Sequence, residues 1–244
     1  MNPPYETSQS LSLKGSHNLA RLVRPFDAQL RPRMIKTRLG LKRKCDFRAQ
    51  RMLKFPHRGE FHCLAEYLNA GLLEGKSAVT YYVPQPFKFR LSGILRKEVG
   101  YTYTPDIYFV EDGVRYVGEL KPRAKFSVIA TQALTAFFKK HRIQFVVISN
   151  ESILEREVEA QNWLTIVRNC LSLAYLITDT AEWDVLDQLH SQTALPFGEF
   201  INVGRRQATE TTEAAIYRLL HRGEISADLT TDFWSYETEL RLCG

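Results

Sequence analysis

The dipeptide Asp112-Gly113 constrains this chain more than any other feature, because apolar-alternating runs flank it on both sides, Asp106-Ile-Tyr-Phe-Val-Glu before it and Val-Arg-Tyr-Val-Gly-Glu119 after it. Asp-Gly tolerates positive φ at both central turn positions, so the pattern predicts a two-residue type I′ hairpin. Pairing Glu111 with Val114 fixes every other pair, and Asp106 falls directly opposite Glu119. Opposed side chains share a face with Cβ atoms about 4.5–5.5 Å apart. Lys121, two residues beyond Glu119, stays on that face. Ile107, Phe109, Val114, Tyr116 and Leu120 alternate onto the other face, which reads as the core side.

Two carboxylates held that close repel each other, and left dry and unpaired one of them takes up a proton. A divalent cation resolves the conflict, and an all-oxygen donor set suits Mg²⁺, with Mn²⁺ able to substitute. Such an ion lowers the pKa of a bound water and stabilises charge on a phosphate. The Lys121 ammonium is placed to orient that water. The plain alternative is an exposed hairpin whose charges are solvated, with Lys121 bridging Glu119. Pro105 before the Asp, and apolar residues around the charges on both strands, favour the metal site.

Composition enters through charge. The net +6 hides an asymmetry: residues 1–58 hold fourteen Lys or Arg against three acids, and the remainder holds 19 basic and 24 acidic residues. Most of the excess lies at residues 31–48, with Arg31, Arg33, Lys36, Arg38, Lys42, Arg43 and Lys44 as the candidate DNA contacts. A basic arm neutralises phosphates and releases counterions, giving salt-sensitive, largely sequence-blind affinity for DNA. A solvated leader is the alternative. No apolar run approaches the roughly 20 residues of a bilayer span, so no membrane partner is expected. The N-terminus lacks the basic-then-apolar pattern of a secretory signal. Cys45, Cys63, Cys170 and Cys243 form no CxxC pair, which suggests neither zinc nor a disulfide framework. These features predict a soluble, cytoplasmic protein.

The chain falls into three parts: a basic, Pro-interrupted arm over 1–55, a nuclease-like domain over 56–165 and a C-terminal domain over 166–244. Residues 58–70 read as a helix with Phe61, Leu64, Ala65 and Leu68 in one stripe. Strand-like runs follow at Val79–Val83 and Phe87–Leu91. The hairpin, a helix over Val128–His141 and a strand over Phe145–Ser149 complete an α/β core with a central mixed sheet flanked by helices. Beyond residue 151 the pattern is mainly helical, over Glu151–Gln161, Trp163–Ile177, Glu182–His190 and Thr211–Arg222. The last of these stops at Gly223, as a helix C-terminus should. Short strands near Glu224–Leu229 and Tyr236–Leu242 close a winged-helix-like module. Tyr101 and Tyr103 either stack or pack against the sheet, Gln85 reads as a cap on the Pro-rich turn, and Trp163, Trp183 and Trp234 read as core.

Pro105-Asp106, a hairpin, then Glu119-x-Lys121 resembles the PD-(D/E)xK signature of restriction-endonuclease-like nucleases. With the acidic residue in Arg58-Gly-Glu60-Phe, Gln85-Pro-Phe87 and the stretch Tyr217–Leu229, residues 55–242 look like the TnsA-type endonuclease subunit of heteromeric bacterial transposases. The resemblance implies a restriction-endonuclease-like core and a Mg²⁺-dependent endodeoxyribonuclease that cuts the 5′ ends of a transposon. A DDE-type transposase would cut and join the 3′ ends, and an AAA+ ATPase regulator would contact the C-terminal module. Carried over by residue, Asp106 and Glu119 are metal ligands, Lys121 positions the attacking water, and Glu60 adds a further acid. Some members of that family carry Gln where this chain has Glu119. Glu66 competes with Glu60 on the same predicted helix; the two point to different faces, and Glu60 is the one expected to reach the hairpin. The protein would work on the bacterial nucleoid. A stand-alone restriction or repair nuclease, a non-catalytic DNA-binding assembly subunit and a DNA-reading regulator are the rival readings.

Overall fold

The computed structural model describes residues 47–55, 58–61, 63–87, 89–90, 102–201 and 206–243. The candidate DNA contacts Arg31, Arg33, Lys36, Arg38, Lys42, Arg43 and Lys44 lie outside them. The chain divides into two compact units, one of Met1–Ala49, Lys54–Tyr67 and Ala78–Leu154, the other of Gln50–Leu53, Leu68–Ser77 and Glu155–Gly244. Strands β1 (Phe47–Arg51) and β2 (Arg58–Phe61) pair as a two-stranded ribbon, and helix α1 (Leu64–Gly75) follows. The predicted helix over 58–70 is therefore replaced by a strand, a break and a later helix. Apolar positions at 61, 64, 65 and 68 suit one helical stripe, but Phe61 is buried from the end of a strand instead. Gly59 gives a helix little reason to start earlier.

The first unit is built on β3 (Val79–Pro84), β6 (Ile107–Glu111), β7 (Val114–Lys121) and β8 (Gln144–Ser149) in the order β3-β6-β7-β8. β3, β6 and β7 form an antiparallel meander, and β8 runs parallel to β7. A parallel neighbour requires a crossover, supplied by helix α2 (Val128–Lys139). Ser127 caps this helix, its Oγ accepting the Ala130 N–H at 3.3 Å. Short strands β4 (Phe89–Arg90) and β5 (Thr102–Tyr103) pair separately. The mixed, helix-flanked sheet expected from the sequence is present.

Both faces of the hairpin are buried, which corrects the expectation of one face for packing and one for chemistry. Phe109 and Tyr116 are register partners whose rings stack at 4.8 Å on one face. On the other, Tyr108, Val110 and Val117 are buried as fully. Val117 is in register with Phe145, and Phe138 of α2 stacks on Phe145 at 5.7 Å. Helix α2 thus packs against β8 on the face that ends in Glu119 and Lys121. Covering both faces is the usual consequence of a parallel neighbour with its crossover helix.

Helix α3 (Asn150–Leu154) follows β8. The second unit contains α4 (Glu157–Ser172), α5 (Asp179–Ser191), the single turn α6 (Phe197–Phe200) and α7 (Arg206–Arg222). Strands β9 (Leu195–Pro196), β10 (Ile225–Ala227) and β11 (Glu239–Leu242) form an antiparallel sheet in the order β10-β11-β9. Ile166, Val185, Leu189, Ile216, Leu219, Ile225 and Leu240 pack a single core there. α4 runs straight through the domain boundary expected at 165/166 and through the break expected near residue 162. Gly223 ends α7 at φ 75°, with its N–H donating to Leu220 and the Glu224 N–H to Leu219, a Schellman cap. Trp163 and Trp234 pack against the core, whereas Trp183 is exposed, contrary to expectation. No described helix is long and apolar enough to cross a membrane.

Candidate active site at the open end of the hairpin

The turn is built as its sequence requires: Asp112 and Gly113 have φ of 49° and 74°, and Glu111 pairs with Val114. The ladder continues to Ile107 with Gly118. One step further, the Asp106 N–H donates to the Gly118 carbonyl at 3.2 Å, which leaves Asp106 opposite Glu119. Gly118 is required at this closure, because a Cβ there would lie 2.8 Å from Ile107 Cγ2 and 3.3 Å from Ile148 Cδ1. Gln85, at φ 45°, donates its N–H to the Asp106 carbonyl at 2.8 Å and pins that peptide from the β3 side. Its backbone therefore has a structural task.

The two carboxylates are held in different ways. Asp106 Oδ2 accepts the backbone N–H of Leu120 at 2.6 Å. Its Oδ1 takes no hydrogen bond from the described residues. Glu119 is buried, and both its oxygens are engaged: Lys121 Nζ lies 2.8 Å from Oε1, and the Tyr103 hydroxyl donates to Oε2. The Lys121–Glu119 ion pair belongs to both the metal-site reading and the plain structural one.

The Asp106 carboxyl is pushed up to about 8, first by burial and then by the negative charges of Glu119 and Glu66. The Leu120 N–H and the Lys121 charge pull it only partly back. Burial and like charge are two of the three ways to move a pKa, and here they act together. A strongly displaced carboxylate with a named charge partner marks a candidate functional site.

Of the four predicted site residues, Asp106, Glu119 and Lys121 come together. Glu60 sits in strand β2, and its side chain is outside the described set. Glu66 lies in the first turn of α1, close enough for its charge to act on Asp106, and its Oε1 accepts the Cys63 thiol at 3.7 Å. Burial and this neighbouring carboxylate push Cys63 up to about 11. Among the described residues no group of three or more His, Cys, Asp or Glu is arranged to hold a metal ion. The donor set present is the Asp106–Glu119 pair, with Glu66 contributing charge. Oxygen-only donors, mutual repulsion and an Asp106 oxygen that takes no hydrogen bond from the described residues fit a hard divalent cation.

Sequence reasoning missed the role of Tyr103, which it set aside as stacking or packing. Its one signal was proximity to Pro105-Asp106, since a tyrosine in a two-residue strand has no periodicity to read. Ser149, in register with Lys121, was also missed; its Oγ accepts from Arg123 Nε at 3.3 Å and from the Ser152 N–H at 2.9 Å. No family model matches the chain, and no curated protein matches it.

Proposed function

We propose that this chain is a metal-dependent DNA endonuclease of the PD-(D/E)xK kind, acting as the TnsA-like 5′-end-cutting subunit of a heteromeric transposase. The observation that carries the reading is a carboxylate pair set face to face by a hairpin register, with a lysine on the same edge and one carboxyl displaced by burial and by its neighbour. Asp106 and Glu119 would hold Mg²⁺, which when bound supplies a water of lowered pKa and stabilises charge on the scissile phosphate.

The protein's own part is positioning and electrostatics. Leu120 N–H fixes the Asp106 carboxylate, and the sheet fixes Glu119 opposite it. Lys121, half-exposed at the edge, orients the attacking water and offsets charge gathering on phosphorus. The products are a 3′-hydroxyl and a 5′-phosphate. The sequence offers no base-reading motif, so targeting falls to partners, with the basic leader adding sequence-blind attraction.

The second unit supports the division of labour. Residues 155–244 carry fifteen acids and seven basic residues, all arginine. An acidic module suits a protein partner better than DNA, as expected of the surface that meets an AAA+ ATPase. Helices α4, α5 and α7 with the β10-β11-β9 sheet suit a winged-helix description.

The test is Mg²⁺-dependent cleavage of end-labelled transposon-end DNA, with and without the DDE transposase, comparing wild type with Asp106→Ala. Partner-dependent 5′-strand nicking that drops to background in the variant is the expected outcome. Cleavage by the protein alone points to a free-standing nuclease. DNA binding without cleavage under either condition replaces the reading with an assembly subunit.

A further inference from the structure

Tyr103 stands outside every motif that led to the site, yet its hydroxyl donates to Glu119 Oε2 in a buried setting. The contact is half of a reciprocal clamp between two short segments. Residues 103–106 give a hydroxyl to Glu119, and residues 119–121 return the Leu120 N–H to Asp106 Oδ2 at 2.6 Å. Pro105 between Tyr103 and Asp106 is buried and has a fixed φ, so the hydroxyl and the Asp106 carboxyl are stiffly linked. β5 anchors the same segment from outside the main sheet, through Tyr103 paired with Phe89.

Glu119 needs such an anchor. Its side chain has three rotatable bonds, and the Lys121 ammonium that holds Oε1 sits on a flexible stem that is 39% exposed. A phenol on a stiff backbone segment has two side-chain torsions and one donor, and so sets the plane of the carboxylate in a way the lysine cannot. Ligating carboxylates are commonly held by such outer hydrogen bonds, and losing one typically costs 10–100-fold in metal affinity.

We infer that Tyr103 is a positioning residue for the metal site: its hydroxyl orients the Glu119 carboxylate so that Glu119 and Asp106 present oxygens to one divalent cation. This rests on the metal-site reading above. The residue touches neither DNA nor metal and acts through Glu119.

The experiment measures Mn²⁺ binding to the full chain by titration calorimetry and by loss of the free-ion electron paramagnetic resonance signal. Wild type is compared with Tyr103→Phe and Asp106→Asn, and thermal unfolding of each metal-free protein is followed in parallel. The Phe variant keeps the ring and removes only the donor. The expected result is Mn²⁺ binding by wild type, its loss in Asp106→Asn, and weakening by roughly 10–100-fold in Tyr103→Phe, read at a temperature well below the melting transition of every metal-free protein. Wild-type binding that Asp106→Asn abolishes but Tyr103→Phe leaves alone, or tightens, overturns the positioning role and leaves the metal site standing. A weakening that disappears when the titration is run well below the variant's melting transition makes Tyr103 a packing residue and also overturns it. No Mn²⁺ binding by wild type, or binding indifferent to Asp106→Asn, removes the metal site itself and the inference with it.

Discussion

Each unit buries a polar centre, and the two centres are built on opposite terms. In the second unit Asn162 is buried on α4, with its side-chain amide donating to the carbonyls of Leu229 and Asp232 at 2.9 and 2.8 Å. Its Oδ1 accepts the Trp234 N–H at 2.8 Å. Both amide hydrogens and the oxygen are used, and the loop from Leu229 to Trp234 is tied to α4 by them. Arg218 does similar work, donating to Thr178 and to the carbonyls of Leu173, Ala174 and Leu176. At the hairpin, by contrast, burial brings like charges together, and Asp106 carries the resulting conflict in its displaced carboxyl. Satisfied polar burial specifies architecture. Polar burial left in conflict is affordable only where a ligand resolves it, and that difference is why the site is sought at Asp106.

Three changes put the comparison under strain. Asn162→Ala leaves two carbonyls and one N–H without their partner, each worth about 1–3 kcal/mol when stranded. A loss of roughly 3 kcal/mol is expected in the urea transition of the second unit. All three tryptophans lie beyond residue 155, so their fluorescence reports that transition selectively. Mn²⁺ binding at the hairpin should be unmoved, and a transition within experimental error of wild type would mean that the satisfied network is ornamental.

Gly118→Ala comes next. Its new methyl meets Ile107 Cγ2 and Ile148 Cδ1, and overpacking of this kind costs about 1–3 kcal/mol. The clash lies between the strands that oppose Asp106 to Glu119, so stability and Mn²⁺ affinity should fall together. Retained affinity in a destabilised variant would show that the carboxylates do not depend on this closure.

The pH dependence is the most diagnostic. A carboxyl raised from 3.8 to about 8 in the folded state holds its proton where the unfolded chain has lost it. The folded state then binds more protons between those values, so the contribution is fully present below pH 4, declines as pH rises and is gone above pH 8. Metal-free wild type should therefore lose melting temperature between pH 5 and 8 relative to Asp106→Asn. Parallel pH profiles for the two proteins would remove the electrostatic conflict from the comparison.

How much of this could be read from residues alone depended on range. The hairpin register was readable to the residue, because Asp112-Gly113 dictates the turn and a turn dictates its ladder. α2, β8 and the Gly223 cap were readable for the same local reason. Phe61 misled because a strand end followed by a helix start can mimic one helical stripe. The burial of Tyr108 and Val117 was hidden because alternation shows which residues share a face but not whether a crossover helix lies on it. Asn162 passed for a helix break: as a poor helix former it gave no sign that its amide serves a loop some seventy residues onward. Tyr103 shows the same limit, since its meaning lies entirely in what the fold brings opposite it. The Asp106–Glu119 opposition was local and so could be foreseen, whereas the outer contacts that tune it were not.

The placement of the turn also bears on how a lineage of such chains can vary in length. Side chains alternate with a period of two, so one residue gained or lost within β6 or β7 sends Asp106 or Glu119 to the opposite face and parts the pair. The tip is exempt: apart from its chain neighbours, no described residue lies within 4 Å of a Cβ built on Gly113, which sits at the end of the hairpin farthest from the carboxylates. Insertions and deletions among relatives that keep the pair should therefore gather at residues 112–113, while the two strands drift in identity but keep their count.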